Sequence, residues 1–196
     1  MAKRPAVLVT RPEPGATDLA GSLKRTLDAQ VFSAPLTEIV PTDAAIDPGD
    51  ATALLVTSPK AAQLASSVPD LPVFAVGRTS AEAARARGLH VQSVGSARVD
   101  DALIASLPAG ARVLHLSGED LAVDPAPLLA ARGITYARLV VYRAESVEEP
   151  PPALRACLAA DAPRFVTFLS GRAAEIFAAL APAAMPAASS IPPVAP

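Results

Sequence analysis

The sequence predicts an α/β protein in which helices cover parallel sheets and two similar domains share the chain. Short apolar runs alternate with amphipathic stretches along most of its length, a pattern typical of strand–helix–strand units. Two segments also have similar sequences, each typical of a strand followed by a helix. They are LLVTSPKAAQLAS at Leu54–Ser66 and VTFLSGRAAEIFA at Val166–Ala178. Ser58 and Ser170 occupy the same place in the two copies, 112 residues apart. This separation favours two related domains over a short-period solenoid.

The first 36 residues predict two strands around one helix. AVLVT at Ala6–Thr10 is apolar and β-branched and follows Pro5, so we expect a buried strand. Leucines spaced four residues apart then predict a helix at Ala16–Ala29, and Val31–Leu36 is the second strand. Residues 37–51 contain prolines and aspartates without apolar periodicity, which predicts a linker.

Residues 52–143 are predicted to form an inserted α/β domain that begins with the first copy of the repeat. Ser58 is expected to cap the helix that follows, with Pro59 at its first position. Thr79 and Glu82 have the spacing of a capping box at a later helix. The remaining strands are predicted at Val73–Val76, Val91–Val94, Arg112–Leu116 and Ile134–Tyr142, with helices near Val99–Leu107 and after Asp124.

The chain then returns to the terminal domain, which is predicted to comprise residues 1–36 and 153–180. A second linker at 144–152 is acidic and rich in proline, and a helix at Ala153–Ala160 leads to the strand Phe165–Leu169. Residues 181–196 consist largely of Ala and Pro without charge, which predicts a disordered tail. The strand and turn that follow the first repeat copy have no counterpart there, so we expect this domain to be incomplete at its C-terminus.

Composition excludes several classes of function. Apolar residues make up 51 % and charged residues 18 % of the chain, which favours a folded core over disorder. A net charge of −2 argues against a nucleic-acid partner. Cys157 is the single cysteine and the chain has two histidines, which exclude a disulfide framework and make a zinc site improbable. The chain offers no apolar run of membrane-spanning length, so we expect a cytoplasmic protein.

Polar residues follow six of the predicted strands at the point where each strand ends. Five of these turns carry a cation and five carry a Ser or Thr hydroxyl. The carboxyl ends of parallel strands meet at one edge, together with helix N-termini, so these turns favour a large, multiply anionic ligand. The candidate binding residues are Arg11, Ser58, Lys60, Gly77, Arg78, Thr79, Ser117, Gly118, Arg143, Ser170, Gly171 and Arg172.

Structural roles compete with these assignments. Capping alone explains the hydroxyls of Ser58, Thr79 and Ser170, and Tyr142 is suited to packing at a strand end. His115 lies inside an apolar run and is favoured as a core residue over a catalyst. A non-catalytic, two-lobed binding module for a polyanionic small molecule is the alternative function. A glycosyltransferase-like enzyme is disfavoured because the sequence has no nucleotide-binding signature.

Seven motifs, in the order in which they occur, resemble those of the uroporphyrinogen-III synthases. The resemblance extends over residues 6–180, and its strength lies in the order and spacing of the motifs. The motifs are VLVTRP (Val7–Pro12), PLTEIVP (Pro35–Pro41), LLVTSPKAA (Leu54–Ala62), FAVGRTSAEA (Phe74–Ala83), VLHLSGED (Val113–Asp120), VVYRA (Val140–Ala144) and FLSGRAAE (Phe168–Glu175).

The resemblance implies two flavodoxin-like domains, the first discontinuous, joined by a two-stranded linker with the active site between them. It also implies an activity in tetrapyrrole and haem biosynthesis by a monomeric enzyme without metal or organic cofactor. In that reaction the linear tetrapyrrole hydroxymethylbilane loses its terminal hydroxyl and closes with inversion of its last ring, giving uroporphyrinogen III. Tyr142 matches the tyrosine that the family places near the departing hydroxyl, which makes it the candidate general acid.

Overall fold

A computed structural model describes residues 3–65, 68, 71–96 and 98–185. Internal contacts divide the chain into two compact units, one formed by Met1–Ile39 with Glu145–Pro196 and the other by Val40–Ala144. The elements in chain order are β1 (Ala6–Val9), α1 (Gly15–Thr26), β2 (Gln30–Ser33), β3 (Thr37–Pro41), β4 (Ala53–Val56), α2 (Pro59–Leu64), β5 (Val73–Ala75), α3 (Arg78–Ala86), β6 (Val91–Val94), α4 (Asp101–Ala105), β7 (Arg112–Gly118), α5 (Ala126–Ala130), β8 (Thr135–Ser146), α6 (Pro152–Ala159), β9 (Arg164–Thr167) and α7 (Gly171–Ala184).

The terminal unit contains a three-stranded sheet in the order β2-β1-β9, and both pairings are parallel. Successive residues of β1 point to opposite faces, as the strand period of two requires. Leu8 packs with Leu154 and Cys157 of α6, whereas Val9 packs with Ala16 and other residues of α1. Helices therefore cover both faces of this sheet, and the three strands predicted for the terminal domain are present.

The inserted unit contains a six-stranded sheet in the order β3-β8-β7-β4-β5-β6. The pairings from β8 across to β6 are parallel. Leu54 and Val56 of β4 pack with the helices α2 and α3 on one face, and Leu55 packs with α4 and α5 on the other. The two parallel-rich sheets and their covering helices confirm the predicted α/β fold class.

Both serines of the repeat cap helices as predicted. The Ser58 Oγ accepts a hydrogen bond from the Ala61 N–H at 3.0 Å, and the Ser170 Oγ accepts one from the Ala173 N–H at 3.2 Å. The capping box predicted at Thr79 is wrong. Helix α3 begins at Arg78 with Gly77 at its N-cap position, so Thr79 already lies inside the first turn.

Secondary structure extends into three stretches that the sequence pattern left without it. Strand β3 opens the segment 37–51 and neighbours β8, which itself continues to Ser146. Helix α7 runs to Ala184 instead of ending at residue 180, because Ala184 is buried against the same core as α6. The rest of the predicted tail, residues 186–196, lies outside the described residues.

None of the helices in the described part of the chain combines the length and the apolar character that crossing a lipid bilayer requires.

Candidate functional site

A cavity of about 240 Å³ lies in the inserted unit, where β4 and β7 end. Strand ends and the loops that follow them form its wall, as expected for the carboxyl edge of a parallel sheet. The described residues that line the cavity are Thr57, Ser58, Val76, Arg98, Val99, Gly118, Asp120, Leu121, Ala122, Val123 and Tyr142.

Tyr142 and Ser58 are joined by a hydrogen bond across this edge. The Tyr142 Oη donates to the Ser58 Oγ at 3.0 Å, although β7 lies between β8, which contains Tyr142, and β4, which Ser58 follows. The aromatic ring crosses β7 at Gly118, where a Cβ atom would lie 2.6 Å from the Tyr142 Cε2 and Cζ atoms. The missing side chain at Gly118 therefore makes the contact between Tyr142 and Ser58 possible.

The Ser58 hydroxyl has its acceptor capacity filled. Its oxygen accepts from the Tyr142 phenol and from the Ala61 N–H at the start of α2. A serine hydroxyl has two acceptor lone pairs and one proton. The Ser58 hydroxyl proton is thus available for a third group. Because Ser58 lines the cavity, a ligand bound there can accept it.

Arg138 of β8 holds the end of β7 in place. Its Nε donates to the Ser117 Oγ at 2.9 Å, and one terminal nitrogen donates to the carbonyl oxygens of Gly118 at 2.7 Å and Glu119 at 2.5 Å. Hydrogen bonds from a charged donor are stronger than neutral ones. Arg138 was missed in the sequence, where the only signal was a cation within a predicted buried strand.

A second hydrogen-bonded chain links Thr57 to His115 and Tyr136. The Thr57 Oγ1 lies 2.9 Å from the His115 Nε2, and the His115 Nδ1 lies 2.9 Å from the Tyr136 Oη. His115 is fully buried, as predicted for a core residue, and both of its ring nitrogens have partners. Burial, with a smaller contribution from the Arg138 charge, lowers the pKa of His115 to about 4, so the imidazole is neutral at pH 7.

The other candidate residues lie outside the described lining of this cavity. In the inserted unit, Lys60 lies in α2, Arg78 and Thr79 open α3 after the N-cap Gly77, and Arg143 follows Tyr142 in β8. In the terminal unit, Arg11 lies against Gly15, and Ser170 caps α7, whose first residues are Gly171 and Arg172. The structure therefore brings Ser58, Gly118 and Tyr142 together, with Ser117 connected to them through Arg138.

No group of three or more His, Cys, Asp or Glu side chains that would hold a metal ion occurs within the described ranges. The cavity wall offers hydroxyls, one phenol and two side chains of opposite charge, Arg98 and Asp120. Such a wall is suited to hydrogen bonding and proton donation.

Comparisons with known proteins agree on one family. The family model described as uroporphyrinogen-III synthase HemD matches residues 17–195. A uroporphyrinogen-III synthetase from Helicobacter pylori superposes with a TM-score of 0.62 at 18 % identity, over 90 % of this chain and 78 % of the other. A mutant uroporphyrinogen III synthase from the extremely thermophilic bacterium Thermus thermophilus gives 0.50 at 17 % identity, over 89 % and 77 %.

A search of curated protein sequences gives no match. At these identities the two solved structures establish likeness of fold alone, and they share the two-domain α/β architecture. The family model carries the assignment because it spans most of the chain. The chain therefore belongs to the uroporphyrinogen-III synthase family.

Proposed function

We propose that this chain is a cyclising hydro-lyase that converts hydroxymethylbilane into uroporphyrinogen III and water. The membership of the family supports this activity, and the observation that carries the site assignment is the Tyr142–Ser58 hydrogen bond beside the cavity. The substrate class is a linear tetrapyrrole with many carboxylates. Hydroxyl donors at strand ends are suited to such a ligand.

The reaction begins when the bond between the terminal carbon and its hydroxyl breaks. In the proposal, Tyr142 donates a proton to the departing oxygen, so that water leaves and the reactive azafulvene remains as its N-protonated cation. The last ring attacks this carbon through its substituted position, giving a spiro intermediate whose reopening and closure invert the ring. The proton that the ring finally loses returns to the Tyr142 phenolate and restores the neutral phenol. Overall, one substrate molecule gives one product molecule and one water.

The neighbours of Tyr142 support this proposed role. In the free enzyme the phenol proton is donated to Ser58, at 3.0 Å. Tyr142 lines the cavity, so a ligand hydroxyl bound there offers a competing acceptor for the phenol proton. Because the leaving group departs readily, we expect this donor to contribute at the low end of general acid catalysis, about 100-fold.

In the proposal, the protein contributes to catalysis mainly by holding the substrate in one conformation. Without an enzyme the same linear molecule closes without inversion, so the protein must favour the geometry in which the substituted carbon meets the azafulvene. Fixing two reacting groups in this way is an entropic contribution to the rate. The cations at the strand ends, such as Lys60 and Arg78, are proposed to bind the substrate carboxylates.

Product analysis tests the proposal directly. The protein is incubated with hydroxymethylbilane, the product is oxidised, and the porphyrin isomers are separated by chromatography beside a protein-free control. We expect isomer III to exceed the isomer I that forms spontaneously. The Tyr142→Phe variant should retain the preference for isomer III while its rate falls about 100-fold. Isomer I alone, at the spontaneous rate, from the folded protein would refute the activity.

A monomeric state and a cytoplasmic location belong to the same proposal. Cys157 is buried and free, so it offers no exposed thiol for a bond between chains. A chain without disulfides is suited to a reducing compartment. Light scattering during size-exclusion chromatography measures the oligomeric state, and a stable dimer at micromolar concentration would refute the first part.

A further inference from the structure

We propose that His115 and Tyr136 are positioning residues that direct the hydroxyl proton of Thr57 into the cavity, where a carboxylate of the ligand accepts it. The identity of the ligand rests on the proposed function, whereas the direction of the hydrogen bonds does not. The starting point is the three-residue chain in which Thr57, His115 and Tyr136 are joined at 2.9 Å on each side of the imidazole.

The neutral imidazole has two possible arrangements. One ring nitrogen carries a proton and donates, and the other accepts. If the Nδ1 carried the proton, His115 would donate to Tyr136, and the Thr57 hydroxyl would donate its proton to the Nε2. If the Nε2 carries the proton, His115 donates to Thr57, and the Thr57 proton is free for another acceptor.

The phenol decides between these arrangements. A phenol oxygen shares its lone pairs with the ring, so it is a better donor and a poorer acceptor than an aliphatic hydroxyl. Tyr136 therefore donates to the His115 Nδ1, which leaves the proton on the Nε2. The Nε2–H then donates to the Thr57 Oγ1, and the Thr57 hydroxyl proton turns towards the cavity that Thr57 lines.

The surroundings of the ring keep it neutral. Burial and the charge of Arg138 both lower the pKa of His115, and Asp124 opposes them more weakly. Burial is also the main cause of the raised pKa of Tyr136, so the phenol retains its proton across the physiological range. The donor chain from Tyr136 to Thr57 thus persists at neutral pH.

Ser58 supplies a second donor beside Thr57. Its oxygen is already occupied by the Ala61 N–H and the Tyr142 phenol, so its proton is likewise available to the cavity. Thr57 and Ser58 both line the cavity, and a carboxylate accepts hydrogen bonds and donates none, so its oxygens are suitable acceptors for these two protons. Arg98 lines the same cavity and adds a positive charge, although Asp120 lines it as well.

The tautomer of His115 is measurable without any ligand. Long-range ¹H–¹⁵N correlation spectra of the ¹⁵N-labelled protein distinguish a protonated Nε2 from a protonated Nδ1. The chain has only two histidines, and the His90→Gln variant assigns the remaining imidazole signal to His115. We expect the Nε2–H form at pH 7, and an Nδ1–H form would overturn the proposal whatever the activity of the protein.

A double-mutant cycle then tests the action of Tyr136 through Thr57. With hydroxymethylbilane as substrate, Thr57→Val should lower kcat/KM by about 10- to 100-fold, as for a lost hydrogen bond to a charged group. Tyr136→Phe should lower it by about 3- to 10-fold alone. In the Thr57→Val background Tyr136→Phe should change it by less than about twofold, because coupled residues are not additive.

Controls separate this proposal from a merely structural role. Thr57→Ser should restore most of the loss, and Thr135→Val, an exposed threonine at the start of β8, should leave kcat/KM unchanged. Additive effects of Thr57→Val and Tyr136→Phe would overturn the relay. Failure of the wild-type protein to form isomer III would refute the proposed function, and the tautomer would then decide the relay alone.

Discussion

Gly118→Ala is expected to displace Tyr142 from Ser58. An added Cβ would lie 2.6 Å from the Tyr142 Cε2 and Cζ atoms and 2.8 Å from its Oη. Carbon atoms in ordinary contact are about 3.5–4.0 Å apart, so the ring must move by about 1 Å. The Tyr142–Ser58 hydrogen bond, now 3.0 Å, would then exceed hydrogen-bonding distance.

The size of the effect follows from this displacement. A shift of about 1 Å in a catalytic group costs about 100-fold in rate, which is also the loss expected for Tyr142→Phe. Overpacking at Gly118 should lower the free energy of unfolding by about 1–3 kcal/mol. We therefore expect the turnover of Gly118→Ala to fall about 100-fold in the isomer III assay, while urea unfolding still shows a cooperative transition.

A matched glycine supplies the control. Gly21 lies within α1, and a Cβ there would meet only an Arg25 side-chain nitrogen at the ordinary distance of 3.4 Å. Gly21→Ala should keep full turnover and raise the free energy of unfolding by about 0.4–1 kcal/mol. If Gly118→Ala forms isomer III at the wild-type rate, the ring of Tyr142 is not held in a catalytically important position.

Three further predictions follow from the contacts of single residues. Ser58→Ala removes both a helix cap and the acceptor of Tyr142, so the free energy of unfolding in urea should fall by about 1 kcal/mol and turnover should fall with it. Below pH 6.5 the imidazole of His115 binds a proton in the unfolded chain but not in the folded one, where its pKa is about 4. The free energy of unfolding, measured in urea, should therefore fall by up to about 3 kcal/mol by pH 4 relative to that of His115→Gln. Arg78→Ala should raise KM with little change in kcat. Added salt should raise the KM of the wild-type protein in the same way, because about 0.1 M salt screens charges beyond about 10 Å. Arg85→Ala, in the last turn of the same helix, is the control and should leave KM unchanged.

Local chemistry accounts for what the sequence predicted well. The caps at Ser58 and Ser170 depend on a hydroxyl, a helix start and the next few residues, all of which lie within one short stretch. Alternating strands and helices dictate parallel sheets and place the polar turns at one edge. Ser58, Gly118 and Tyr142 were therefore identifiable as candidates before the strand order was known.

Features that depend on pairing between distant strands were not visible in the sequence. Strand β3 is stabilised by its neighbour β8, which lies about a hundred residues further along the chain, so its own short pattern resembled a linker. The Thr57–His115–Tyr136 chain joins the residue that follows β4 to residues of β7 and β8, and sequence spacing does not relate these three side chains. His115 was correctly placed in the core, but its partners come from the order of those strands.

Tyr142 shows most clearly why a strand pattern alone does not locate this site. The pairing of β7 with β8 shifts by one residue after Ser117, so that Gly118 faces Tyr142 instead of Val141. With a period of two, Val141 and Tyr142 would point to opposite faces, yet both pack against the core beneath α2 and α3. A bulge adds one unpaired residue and redirects the side chain that follows, as bulges near functional sites commonly do. The phenol thereby reaches the face on which Ser58 caps α2, and the glycine at Gly118 leaves room for the ring to cross.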